Sequence, residues 1–236
     1  MNRFGSVSSS QTRSIEGVNA FMRGVYNWMA AGLGVTALCA FLTASSPAML
    51  NLLFGGSIMG YVIIFAPFIM VLFLSAGIQR MSAGMATGMF LAYSALMGLS
   101  LSSILLVYSG QSIFMTFVIC AGMFAGMSVY GMTTKKDLTS WGSFLFMGLI
   151  GIIIASIVNI FVGSSALQWG ISVLGVVIFT GLTAYDTQRL RMMGESAPHG
   201  DHTAIRRGTI LGALTLYLDF INLFLMLLRL FGASRD

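Results

Sequence analysis

The sequence predicts an all-α polytopic membrane protein, and three observations carry that expectation. The chain of 236 residues is 57% hydrophobic and 8% charged, whereas a soluble domain carries about 25% charged residues. Its apolar residues gather into seven stretches, each near or above the roughly 20 residues a helix needs to cross a bilayer. Its basic residues fall between those stretches on alternate connections, as membrane orientation signals do. The net charge of +5 is therefore no nucleic-acid footprint. No phosphate-binding glycine loop, catalytic triad pattern or nucleic-acid motif accompanies it.

In chain order, residues 1–24 read as a polar N-terminal tail, 25–232 as one membrane domain and 233–236 as a short C-terminal tail. The opening MNRFGSVSSSQTRSIEG is short and polar and is expected to be disordered. No short apolar region with a cleavage site follows it, so the first apolar stretch is expected to stay in the membrane as a signal anchor. The stretches run about 26–46, 56–78, 84–108, 112–131, 142–163, 166–186 and 209–231. The connections near Ser45–Gly55, Ser109–Gln111 and Gly163–Ser165 carry no charge. The alternate set carries Arg3, Arg13, Arg23, Arg80, Lys135, Lys136, Arg189, Arg191, Arg206 and Arg207, ten of the twelve basic residues. The positive-inside rule puts that side, with the N-terminus, in the cytoplasm. The last stretch is the exception. If it crosses, Arg229, Arg235 and the C-terminus lie outside, against the charge rule; if it dips in and returns, they lie inside. Its length favours crossing.

Three glycine pairs have the GxxxG spacing, Gly84/Gly88, Gly122/Gly126 and Gly208/Gly212, and are read as close helix packing within the bundle. Pro67 falls inside the second stretch, where a kink is tolerable if neighbours satisfy the freed carbonyl. Cys39 and Cys120 lie in apolar stretches and read as buried free thiols, and the methionines read as packing. His199 and His202 (HGDH) read as solvated loop residues, with no further ligand set beside them.

Seven acids make a complete census. Glu16, Asp137, Glu195, Asp201 and Asp236 are expected to be solvated. Asp186, in GLTAYDTQRL, closes the sixth stretch, and Asp219 lies inside the seventh. At helical spacing Gly208, Gly212, Thr215, Asp219 and Asn222 share one face of that last helix. A carboxylate at the centre of a span costs about 2.5–3.5 kcal/mol on insertion scales, so it is expected to face protein or a water-filled cavity. Asp219 follows Arg207 by up to about 18 Å of helix at 1.5 Å per residue, a depth at which it can meet Asp186 in the cytoplasmic half. The plain alternative is that Asp186 pairs with Arg189 at i+3 as a helix-end ion pair. Two carboxylates in contact in a low-dielectric site cannot both ionise cheaply and titrate as a pair. Protonated, they form a clasp between two spans; ionised, they repel and offer hard oxygens suited to Ca²⁺. Arg80, at the end of the second stretch, is the nearest cation to bias such a clasp, or else a snorkelling arginine. Arg229 is expected to snorkel at the opposite face.

The segments GLTAYDTQ and LGALTLYLDFINLFLMLLRLFG resemble the last two spans of the Bax inhibitor (transmembrane Bax-inhibitor-motif) family. VYNWMAAGL and YGMTTKKDLT resemble its bacterial members, and the likeness runs from about Val18 to Gly232. The resemblance implies seven helices with the last one central, wrapped by the other six, in a bacterial cytoplasmic (inner) membrane. It implies a pH-sensitive Ca²⁺ leak channel gated by a di-aspartyl pair at Asp186 and Asp219, with Arg80 matching an arginine that contacts the pair. Some members place a glutamate in the second span to pair with the residue matching Arg229; this chain has no acid there.

The leading expectation is thus a non-enzymatic, monomeric channel without a cofactor, whose partners are the bilayer, Ca²⁺ and protons. The resemblance also implies an alternative, an interaction protein that modulates membrane-protein quality control beside a membrane-bound protease. An intramembrane aspartyl protease is disfavoured, because Asp219 sits in LYLDF and lacks a GxGD motif.

Overall fold

The computed structural model describes the backbone of residues 3–196 and 201–235 and the side chains from residue 16 onward within them. His199 and Asp236 therefore lie outside the described residues. The chain is helical along α1 (Arg3–Ala44), α2 (Pro47–Phe54), α3 (Ile58–Gly77), a one-turn 3₁₀ helix (Ile78–Arg80), α4 (Ala83–Leu101), α5 (Ile104–Val107), α6 (Gly110–Thr133), α7 (Thr139–Val162), α8 (Ser165–Glu195) and α9 (His202–Phe231). Among the described residues seven segments are long and apolar enough to cross a membrane: Glu16–Ala44, Ile58–Arg80, Ala83–Val107, Gly110–Thr133, Thr139–Val162, Ser165–Glu195 and His202–Phe231.

Serines set several of the helix starts, because a side-chain oxygen can accept from an otherwise unpaired N–H of the first turn. Ser57 accepts from Gly60 N at 3.0 Å, Ser82 from Met85 N at 3.2 Å and Ser109 from Ser112 N at 3.3 Å. At the end of α7, Gly163 takes the left-handed φ of 64° that closes a helix. Asn159 Oδ1 accepts the following Ser164 N–H at 3.0 Å.

Two expectations change, and two points left open are filled in. The N-terminal segment, expected to be disordered, continues α1 back to Arg3. No proline interrupts it, so a helix anchored by buried Val18, Phe21, Met22 and Val25 extends at one hydrogen bond per residue fixed. The first connection contains a helix of its own, α2. Asp186 does not close its span: α8 continues to Glu195, where Arg191 Nε meets Glu195 Oε1 at 3.1 Å on the exposed surface. The last stretch is one unbroken 30-residue helix, which excludes a dip and return. Pro67 stays within α3, and Ser100 Oγ donates to the nearby Ile64 carbonyl at 3.3 Å.

The chain forms two compact units, Met1–Ser103 with Leu190–Thr215, and Ile104–Arg189 with Leu216–Asp236. In the first unit, α1 and α4 approach through Gly98, where a Cβ would run into the Thr36 carbonyl oxygen. Thr36 Oγ1 bridges to Ser94 O at 2.8 Å. In the second unit, the chain after α9 straps onto the segment before α6: Ser109 N donates to Ala233 O at 3.1 Å and Arg235 N to Val107 O at 2.8 Å. The loop into α7 is closed by Asp137 Oδ1, which accepts Thr139 N–H at 2.9 Å; this bonding to Thr139 holds the carboxyl below its usual range. Of the seven spans, the last is by far the most buried, 67% of its most apolar window against 39% or less elsewhere.

Candidate functional site

The second unit holds both acids of the membrane region. Asp186 and Asp219 are 6% and 5% exposed, and their carboxyl groups lie close enough to act directly on each other. Asp219 Oδ2 is buried with no hydrogen-bond partner recorded among the described residues. The plain alternative for Asp186 is not realised as a contact: among the described residues no ion pair within 4 Å joins it to Arg189, although Arg189 acts on it electrostatically.

Local sequence explains how α8 is held at this point, because each residue from Ala184 to Gln188 has its own neighbour. Gly131 on α6 lies against the Ala184 carbonyl and Thr187, at a distance that leaves no room for a Cβ. Gly142 on α7 likewise lies under the Tyr185 ring. Gln188 reaches the loop ahead of α7, accepting Leu138 N–H at 2.9 Å and donating to Lys136 O at 2.8 Å. On the α9 side, the Cys120 thiol donates to Phe220 O at 3.7 Å. Phe117 and Phe124 meet the Phe220 ring edge-on, with centroids 5.6 and 5.5 Å away. Asp186 is therefore fixed by glycine-mediated helix approach and an amide clamp, and Asp219 by an aromatic cluster one residue on.

The remaining expected site residues are placed differently. Thr215 Oγ1 donates to Leu211 O at 3.0 Å and Asn222 Nδ2 to Leu218 O at 2.8 Å, so both bond their own helix. Arg229 is exposed in the last turn of α9. Arg80 is exposed at the end of the 3₁₀ turn, and no hydrogen bond or ion pair of its side chain is found among the described residues. Three buried hydroxyls in the second unit, Ser128 Oγ, Thr180 Oγ1 and Thr187 Oγ1, also lack a partner among the described residues. No group of three or more His, Cys, Asp or Glu side chains among the described residues is placed to hold a metal. Two carboxylates supply at most four oxygens, and Ca²⁺ takes 6–8. The pair is thus no closed cation cage.

Gly131 and Gln188 escape the sequence reading, whereas Cys120 is the buried free thiol expected. Only Gln188 had a signal: it lies two residues past Asp186, an amide carried into a span.

Comparison with known proteins agrees with the motifs. Residues 18–236 match the family described as "Inhibitor of apoptosis-promoting Bax1". The chain is 52% identical to the inner membrane protein YbhL of Escherichia coli (strain K12), over 100% of both chains. It is 48% identical to an uncharacterized protein of Borreliella burgdorferi, over 92% of this chain and 94% of that one. It is 46% identical to an uncharacterized protein of Caulobacter vibrioides, over 93% of this chain and 91% of that one.

Proposed function

The chain belongs to the family of inhibitors of apoptosis-promoting Bax1, and from that premise we propose that it is a proton-regulated, Ca²⁺-permeable leak gated by Asp186 and Asp219. The observation that carries this reading is the contact between two buried carboxyls on separate spans. With one proton shared, an O–H···O bond ties α8 to α9. With none, two unit charges about 4 Å apart repel by about 4 kcal/mol at an effective dielectric constant of about 20. That is of the order of the few kcal/mol separating a protein's alternative conformations, so in this reading proton loss favours parting of the helices.

Once parted, the carboxylates offer oxygens to a passing divalent cation, which keeps part of its water. Arg189 counters one of the two charges. No catalysed reaction is needed. The N-terminus and the basic connections lie in the cytoplasm, by the positive-inside rule, in a bacterial inner membrane.

The test is Ca²⁺ flux into proteoliposomes across a pH series, with Asp186→Asn and Asp219→Asn beside the wild type. Neither asparagine can lose a proton in this range, so the wild-type pH dependence should flatten in both. Flux with an unchanged pH profile in both variants sinks the gate.

A further inference from the structure

The Gly84/Gly88 pair on α4 does not do what its spacing predicts. A Cβ built on either glycine meets nothing within 4 Å, and both are exposed. Instead of seating a helix, they line a shallow, open groove of about 680 Å³ in the first unit, together with Thr87 and Leu91 of α4 and His202, Thr203 and Arg206 of α9. That volume is in the range of small-molecule sites, about 300–1,000 Å³. Arg206 is prearranged there. Its Nε donates to Thr87 Oγ1 at 3.3 Å, and its guanidinium lies over the Trp28 ring, 4.4 Å from the centroid. Among the described residues no carboxylate pairs with it.

We propose that this groove binds one anionic phospholipid, its phosphate on Arg206 and an acyl chain along the Gly84–Gly88 floor. The charge is complementary: a cation without a protein counter-ion stands at the end of an apolar trough on a membrane-spanning helix. A guanidinium stacked on an indole still presents N–H groups at its edge, in the fork geometry that suits phosphate. Trp28 and Thr87 hold that fork in place, which lowers the cost of ordering it on binding. Basic pockets between spanning helices take anionic head groups for the same reason. A zwitterionic lipid carries its own cation beside the phosphate and gains less from Arg206.

The test is native mass spectrometry of the full chain in detergent, titrated with phosphatidylglycerol or phosphatidylcholine of identical acyl chains. The wild type should retain phosphatidylglycerol about fivefold better, equivalent to about 1 kcal/mol. Arg206→Gln should erase that preference and Arg206→Lys keep most of it. Gly88→Leu, which fills the floor where a side chain has room, should weaken both lipids. Arg207→Gln should keep the preference, because Arg207 Nε is committed to Met81 O at 2.6 Å and lines a different cavity. Equal retention of the two lipids by the wild type overturns the proposal. So does a preference that survives Arg206→Gln or is lost equally in Arg207→Gln, and so does unchanged lipid binding by Gly88→Leu. Soluble glycerol phosphate binding as well as the lipid would make the site one for a free phosphate ester, and the lipid assignment would fall.

Discussion

The second and seventh spans have nearly the same membrane credentials and opposite fates. The most apolar windows of Ile58–Arg80 and His202–Phe231 have mean hydropathies of 2.4 and 2.0, yet 17% of one window and 67% of the other is buried in protein. Along α3, Phe65, Phe68, Leu72 and Phe73 are 58–70% exposed, whereas along α9 Leu214, Leu216, Tyr217, Leu223 and Leu228 are 1% exposed or less. Apolarity takes a helix into the bilayer, but it does not say whether lipid or protein covers it. Only the covered helix can carry an acid without exposing it to hydrocarbon, and the chain puts Asp219 there and no acid at all in the second span.

The largest expected break in this comparison comes from moving the acid. Leu72→Asp places a carboxylate on the 70% exposed face of α3 and should reduce span insertion by about 2.5–3.5 kcal/mol in a glycosylation-reporter assay. Asp219→Asn in the same assay should insert at least as well as the wild type. Next comes a matched truncation. Leu216→Ala, at a fully buried position, should cost about 2 kcal/mol of unfolding free energy in a steric-trapping measurement. Leu72→Ala should stay within about 0.5 kcal/mol. A matching loss in the two alanine variants would mean that burial in protein does not distinguish the spans. The smallest effect concerns the clamp beside the acids. Gln188→Ala leaves the Leu138 N–H and Lys136 carbonyl without their side-chain partner and should cost about 1–2 kcal/mol. Hydrogen exchange should rise in residues 134–139 before it rises at Asp219; a uniform rise would deny the clamp a local role.

Much of the site was readable as a short list of residues and none of it as geometry. A membrane protein with seven acids offers few places for buried carboxylate chemistry, and Asp186 and Asp219 were the two that belonged to spans. Their contact was not readable, because the i+3 neighbour Arg189 offered Asp186 an equally local partner. The Gly84/Gly88 spacing misled for a related reason, whereas Gly212 does pack closely, against Leu190 and Val25. Gly84/Gly88 and Gly131 are alike as residues, but only at Gly131 does another backbone come close enough to exclude a Cβ. Whether a glycine is a contact or a gap depends on what lies opposite.

The sequence by itself determined that seven helices enter the membrane and that two of them carry acids. Transfer of a segment into hydrocarbon is a sum over its own residues, and each residue's cost is local. Tertiary structure alone decided that the last helix is the buried one, that Asp186 and Asp219 meet, and that Gly131 and Gln188 hold the place where they do. Spans apolar on every side carry no stripe to mark the face that meets a neighbour. In a medium as apolar as the side chains, close packing and the pairing of polar groups choose the partners, and both are properties of pairs of helices.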